Sequence, residues 1–215
     1  MAQRRLNSVL SEFMRNLQEC RRLAADAQAW SLPGAHGARP FISRRRHDSM
    51  IEIAFLRMFL AWETLLEDSF ILYLCGQRPP RGRRPVRYAF PPNQKAASEW
   101  VLPERRDYAQ WTDPQTVAQR AKRFFRDGKP FDPVLRGNQN LLHEARTIRN
   151  AIAHSSANTR QKLEKVIREN LKTLPINMTT GGFLSATVPA LSPPISFLEH
   201  YMGKIEAAAR LIIPS

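Results

Sequence analysis

Cysteine is almost missing from this chain. Cys20 and Cys75 are the only two in 215 residues. Each lies in an apolar helical run, and the pair has no metal-ligand spacing. They read as reduced core thiols of a cytoplasmic protein, with no metal site among the expectations. Lysine is scarce too, since 26 of the 33 basic residues are arginine. The first twenty residues, "MAQRRLNSVLSEFMRNLQEC", lack the unbroken apolar stretch of a secretory signal. No long apolar run is free of charge. The most apolar segment, "MIEIAFLRMFLAWETLLEDSFILYLC", carries Glu52, Arg57, Glu63, Glu67 and Asp68. It reads as a buried helix with no membrane as partner. There is no internal repeat, no heptad array, no Ser-His-Asp arrangement and no helix-turn-helix pair. "TTGGF" at 179 to 183 lacks the strand and lysine of a phosphate-binding loop. Nothing in the sequence calls for a cofactor.

What is present is positive charge. The formal net charge is +14, and arginine presents a planar fork that pairs bidentately with phosphate. Such a balance favours an anionic partner, nucleic acid above all. A GC-rich genome, in which arginine displaces lysine for codon reasons, produces the same bias. Length allows one domain with a core of its own, or one domain carrying a substantial insertion.

Apolar periodicity places the elements. Leu6, Val9, Leu10, Phe13, Met14, Leu17, Cys20 and Leu23 recur at spacings of three and four, giving a helix from about Gln3 to Trp30. Residues 30–47 read as a linker ending in Arg44, Arg45 and Arg46. A second helix opens at a capping box of Ser49 and Glu52, runs to about Cys75 and stops at Gly76. Residues 77 to 111, rich in Pro and Arg, read as loop. A shorter helix starts at Thr112 or Asp113 with Pro114 at its first position and ends before Gly128 and Pro130. Residues 77–137 thus look like an irregular, partly helical insertion between two core helices. A third core helix spans roughly Asn138 to Ser155, and "NTRQKLEKVIRENLKTL" forms a fourth. "PINMTTGGFLSATVPALSPP" reads as loop, with a short hairpin as one option. A last helix starts near Ser192 or Ser196. The expected class is all-α, an antiparallel helical bundle in one domain over residues 1–215.

The third core helix carries the unusual chemistry. At about 100° per residue, Leu141, Ala145, Ile148 and Ile152 form one apolar stripe. His143, Thr147, Asn150 and His154 form a polar stripe on the opposite side, with Arg146 beside it and Arg149 at the border. A polar stripe is what any surface helix shows. Surface helices usually carry Glu and Lys, however, whereas His, Arg and Asn bind phosphate and exchange protons near neutral pH. Asn150 and His154, four apart, stand close enough for the amide to orient the imidazole. Arg149 and His154, five apart, diverge by about 140° on a regular helix. They converge on one phosphate only if the helix ends near His154 or a second copy supplies the other half.

"RNAIAH", residues 149 to 154, resembles the R-x4-H motif of the HEPN superfamily, small α-helical domains that commonly act as metal-independent ribonucleases. Asn150 supplies the polar residue that follows the arginine in that pattern. "AFLRMFLAWETLLEDSFILYL" looks like the hydrophobic second helix of the RiboL-PSP-HEPN and related branches, and "YAQWTDPQTVAQRAKRFF" is similar to their middle. The resemblance covers about residues 50 to 172. It implies an endoribonuclease in which His154 serves as general base or acid at the ribose 2′-hydroxyl. Arg149 would stabilise the phosphorane, and Asn150 would orient His154 or bind phosphate. The product would carry a 2′,3′-cyclic phosphate, and DNA would be spared. It further implies RNA as substrate, a homodimer with a composite active site, and a role in toxin–antitoxin or phage defence with an antitoxin or associated defence protein as partner. Some relatives are silenced by nucleotidylation of a Tyr two residues after the His; Ser156 stands there, so that control does not carry over. Arg146, His143 and Glu63 are the candidates for substrate binding. For Glu63, pairing with Arg149 or Arg146 stands beside a structural pairing with Arg57 or another core-edge group. The arginines at 44–46 and 81–87, with Tyr88, Phe90 and Trp100 nearby, either guide single-stranded RNA or are solvated loop charge. The alternative function is a catalytically inactive HEPN-like module that binds RNA or protein.

Overall fold

The computed structural model describes residues 4–33, 39–102, 109–154, 156–189 and 191–215. Among them the chain is all-helical, with isolated bridges Arg87–Phe125 and Thr187–Ser196 but no strand. The helices are α1 (Leu6–Ser31), α2 (Arg44–Leu74), α3 (Gln94–Val101), α4 (Pro114–Phe124), α5 (Phe131–Gly137), α6 (Gln139–Ala153), α7 (Ala157–Leu171), α8 (Thr180–Ser185) and α9 (Phe197–Ile212). A 3-10 turn covers Arg126–Gly128. No helix among the described residues is long and apolar enough to cross a membrane.

The chain divides into two compact units, each described by itself. The first comprises Met1–Met14, Ala61–His143 and Ile205–Ser215. Its core is aromatic. Phe70 lies within 5.0–6.0 Å, centroid to centroid, of Trp111, Phe124, Phe125 and Phe131. Such offset and edge-on pairs add to what their burial contributes. Tyr73 donates its hydroxyl to the Ile212 carbonyl at 2.7 Å, so the one polar atom of this buried ring is satisfied. The end of α2 is a left-handed cap: Gly76 has φ +85°, its N–H reaches the Tyr73 carbonyl, and the Gln77 N–H reaches Leu72. Arg87 adds an Nη1 hydrogen bond to the Leu74 carbonyl at 2.6 Å, and its guanidinium fills the space a side chain on Gly76 would need. α4 begins where its residues dictate, with the Asp113 side chain accepting from the Thr116 N–H and Pro114 in the first turn.

The second unit comprises Arg15–Leu60 and Glu144–Lys204. Phe55 sits edge-on to Tyr201 at 5.8 Å, and Phe183 stacks on Phe197 at 4.5 Å. Leu17, Cys20, Ile51, Phe59, Ile148 and Ile167 are buried with them. Tyr201 donates to Glu144 Oε2 at 2.8 Å, and burial together with that carboxylate pushes the phenol pKa up.

Four expectations need correction. α2 starts at Arg44, not at Ser49: His47 N–H already bonds the Ser43 carbonyl, and Ser49 donates to the Arg45 carbonyl from inside the helix. The three arginines therefore belong to its first turn rather than to a linker. Glu52 caps no helix of its own; its Oε1 accepts from the Gly181 N–H at 2.9 Å. The segment around 180, read as loop, holds α8, because Thr179 caps it by accepting from Gly182 N–H and because Gly181 packs against the Asp48 backbone. Residues 94–101, also read as loop, form α3, capped by the Asn93 side chain on the Ala96 N–H. The expected helix ends at Gln3 and Ser155 lie outside the described residues, as does Tyr108.

Candidate functional site

Burial on α6 is turned from the expected stripe. Ala145 and Ile148 are fully buried, but Leu141 and Ile152 are only half-buried, and Leu142 is buried instead. Leu142 lies about 100° round the helix from Leu141, and Ala145 about 40°. Arg149, at about 80°, falls between them. The arginine that the sequence put at a border thus stands within the buried arc.

Its surroundings are unusual for a cation. Arg149 Nη1 donates to Asn150 Oδ1 at 3.4 Å, a long bond. Its Nε is buried and has no hydrogen-bond partner among the described residues. An N–H taken from water and left unpaired costs about 1–3 kcal/mol. Asn150 therefore turns its amide oxygen to Arg149, and the sequence expectation that it meets the imidazole of His154 is not seen in this chain.

His154 is exposed and lies immediately after the last residue of α6. Its N–H still bonds the Asn150 carbonyl at 2.9 Å, and its own carbonyl accepts from Thr159 Oγ1 at 2.8 Å. Ser156 caps α7 by accepting from the Thr159 N–H, so Thr159 ties both sides of this turn together. The helix does end near His154, as the alternative to a regular helix required, for a local reason: Ser and Asn prefer caps and turns to helix interiors.

A cleft of about 750 Å³ opens beside this turn, lined by His154, Thr159, Arg160, Glu164, Ile176 and Glu52 among others. That size suits a small organic ligand or a nucleotide. Arg149 and Asn150 do not line it. Burial raises the Glu52 carboxyl pKa, the Gly181 N–H works against that, and the charge of Asp48 adds to it. A carboxyl whose pKa burial raises and an imidazole thus share one cleft. Sequence reasoning assigned Glu52 only a cap; no local signal foretold that a glycine 129 residues later would meet it.

The remaining candidates lie on α6, on α2 and in the segment up to the end of α3. Arg146 is half-buried on α6 and His143 is exposed near its start. Glu63 is half-buried on α2 within the first unit. Arg81, Arg83 and Arg84 are exposed, with Tyr88, Phe90 and Trp100 at 59%, 68% and 48% exposure. Arg87 stacks over Phe90 at 4.9 Å. No group of three His, Cys, Asp or Glu side chains suited to a metal ion occurs among the described residues.

No family model, curated protein or solved structure matches this chain. The likeness to HEPN domains therefore rests on the sequence alone.

Proposed function

We propose that the protein is a HEPN-type endoribonuclease that needs no metal. In this reading residues 77–137 are an insertion in a HEPN-like bundle, and the protein works in the cytoplasm as a toxin or phage-defence effector. The observation that carries the proposal is the end of α6. A half-buried arginine, whose buried Nε has no partner among the described residues, stands five residues before an exposed histidine at a helix terminus. A phosphate oxygen entering there would accept from Arg149 and satisfy it.

The chemistry is a transesterification. His154 removes the proton from a ribose 2′-hydroxyl, and the 2′-oxygen bonds to the adjacent phosphorus. Arg149 stabilises the added charge on the phosphorane. The bond to the 5′-oxygen then breaks, and that oxygen takes a proton from solvent water, so that one Arg149 and one His154 suffice for a cut. The fragments carry a 2′,3′-cyclic phosphate and a 5′-hydroxyl. A homodimer would let Arg149 of one copy and His154 of the other meet at one phosphate, because five residues of helix turn the two side chains about 140° apart.

The test is incubation of structured and single-stranded RNA with the protein in EDTA, beside Arg149→Ala and His154→Ala. Cleavage lost in both variants supports the enzyme. Equal cleavage by all three proteins points to a contaminant and refutes the site. The exposed aromatics among Arg81, Arg83 and Arg84 favour a second reading, a silent RNA-binding module, because bases stack on such rings. RNA binding without cleavage by the unaltered protein would select it.

A further inference from the structure

The second unit holds another pocket, of about 670 Å³, at the start of α2. It shares no lining residue with the His154 cleft. Its walls include Ser31, Arg39, Ser43, Arg44, His47 and Asp48. We propose that this pocket binds a phosphate monoester, with His47 and Arg44 as its principal donors.

Three observations carry the assignment. The first is a buried relay. Thr179 Oγ1 donates to Asp48 Oδ2 at 2.6 Å, and His47 Nδ1 meets Asp48 Oδ1 at 3.0 Å. Both carboxylate oxygens are thus engaged, and the imidazole is held by its Nδ1–H. The His47 side chain is only 10% exposed, yet its Nε2 is buried with no hydrogen-bond partner among the described residues. A histidine buried on this scale normally has both nitrogens satisfied. With Nδ1 held by a carboxylate, the ring has its Nε2 left to meet a polar group that enters the pocket.

The second observation is charge. Arg39 and Arg44 are exposed at the walls, and the single acidic residue of the lining, Asp48, is committed to His47 and Thr179. The third is the backbone. These walls are the first turn of a 31-residue helix, where N–H groups lack partners within the helix and the dipole favours an anion. Ser43 Oγ answers only the Arg46 N–H there, at 3.4 Å.

A carboxylate would satisfy one or two of these donors. A phosphate monoester brings three acceptor oxygens and nearly two negative charges, which suits an imidazole nitrogen, an arginine fork and a helix terminus together. The pocket is much larger than one phosphate, so the group carrying it also fits. Resting on the ribonuclease reading above, we take that group to be either a free nucleoside or the 5′ end of an RNA chain.

Calorimetric titration of the full-length protein tests this. The probes are adenosine 5′-monophosphate, adenosine, and a 2′-O-methyl RNA octamer with and without a 5′-phosphate. His47→Gln and Arg44→Ala are the variants, with thermal melts confirming that each is folded; Arg44 is exposed, so its removal leaves folding intact. The phosphorylated form of at least one pair should bind more tightly than its phosphate-free form by about tenfold or more, and each variant should erase that difference. A difference in the octamer pair alone identifies an RNA end, and one already complete with the mononucleotide identifies a free nucleotide. Equal affinity with and without phosphate in both pairs, or a preference that survives both variants, overturns the proposal.

Discussion

Arg149 donates to its neighbour Asn150 at 3.4 Å, and its buried Nε has no partner among the described residues. Neither feature stabilises the fold, and a residue that costs the free protein something is a candidate for work in a complex. Arg149→Met keeps the length of the side chain and removes the unpaired N–H. Chemical denaturation should show Met at this position to be neutral or more stable by about 1 kcal/mol, while RNA cleavage is lost. A loss of stability of that size or more would mean that the guanidinium is a structural partner.

Composite chemistry makes a sharper prediction. Arg149→Ala keeps His154, and His154→Ala keeps Arg149. If two copies share one groove, mixing the two inactive variants under conditions of subunit exchange should restore part of the cleavage. Light scattering should report about twice the 24.7 kDa of one chain. A mixture that exchanges subunits yet stays inactive would place each site within a single chain.

Gly181 marks where α8 meets α2 in the second unit. A Cβ there would run into the Asp48 backbone, which cannot move aside as a flexible side chain would. Gly181→Ala should lower the unfolding free energy by about 1–3 kcal/mol. Gly137→Ala, where nothing lies within 4 Å of the added carbon, is the control and should change stability little. Equal effects from the two substitutions would show that the close approach is not what positions α8.

Asp68 gives a signature in pH. Burial pushes its carboxyl from the ordinary 3.8 up to about 6; Arg4 pulls it down, and Glu67 and Glu12 add to the rise. Arg4 Nη2 stands 2.8 Å from Asp68 Oδ2, but off the line of a hydrogen bond, so that oxygen is ion-paired without being properly solvated. Because the folded pKa is raised, the ionised form opposes folding. That penalty is present above about pH 6 and fades as the pH falls through 6 toward the unfolded value. Asp68→Asn should therefore be more stable than the parent by about 1–3 kcal/mol at pH 7.5, with the gap closing near pH 4. Denaturation at the two pH values checks it, and a gap that does not depend on pH would contradict it.

The helices were legible wherever apolar residues repeat or a cap is local. Leu6 through Cys20 set α1, and Asp113 with Pro114 set the start of α4. The end of α6 was also legible, since "HSSANT" holds poor interior residues followed by the Ser156 cap. What could not be read depends on distant partners. Ser49 and Glu52 match a capping box in sequence, but Glu52 is claimed by Gly181, and the helix had already begun at Arg44. Which arc of α6 is buried depends on the elements packed against it, as the burial of Leu142 in place of Leu141 shows, and a single helical wheel does not contain them. The pairing of His47 with Asp48 carries no local signal for the same reason, because Thr179 completes it from 131 residues along the chain.

The chemistry of the cut ends tests the central claim most directly. RNA digested in EDTA should yield upstream fragments ending in a 2′,3′-cyclic phosphate, as read by mass spectrometry. One 2′-deoxy substitution at the scissile nucleotide should stop cleavage there, and both Arg149→Ala and His154→Ala should give no such ends. Fragments with 3′-hydroxyl and 5′-phosphate ends, or cleavage that ignores the deoxy substitution, would contradict the account.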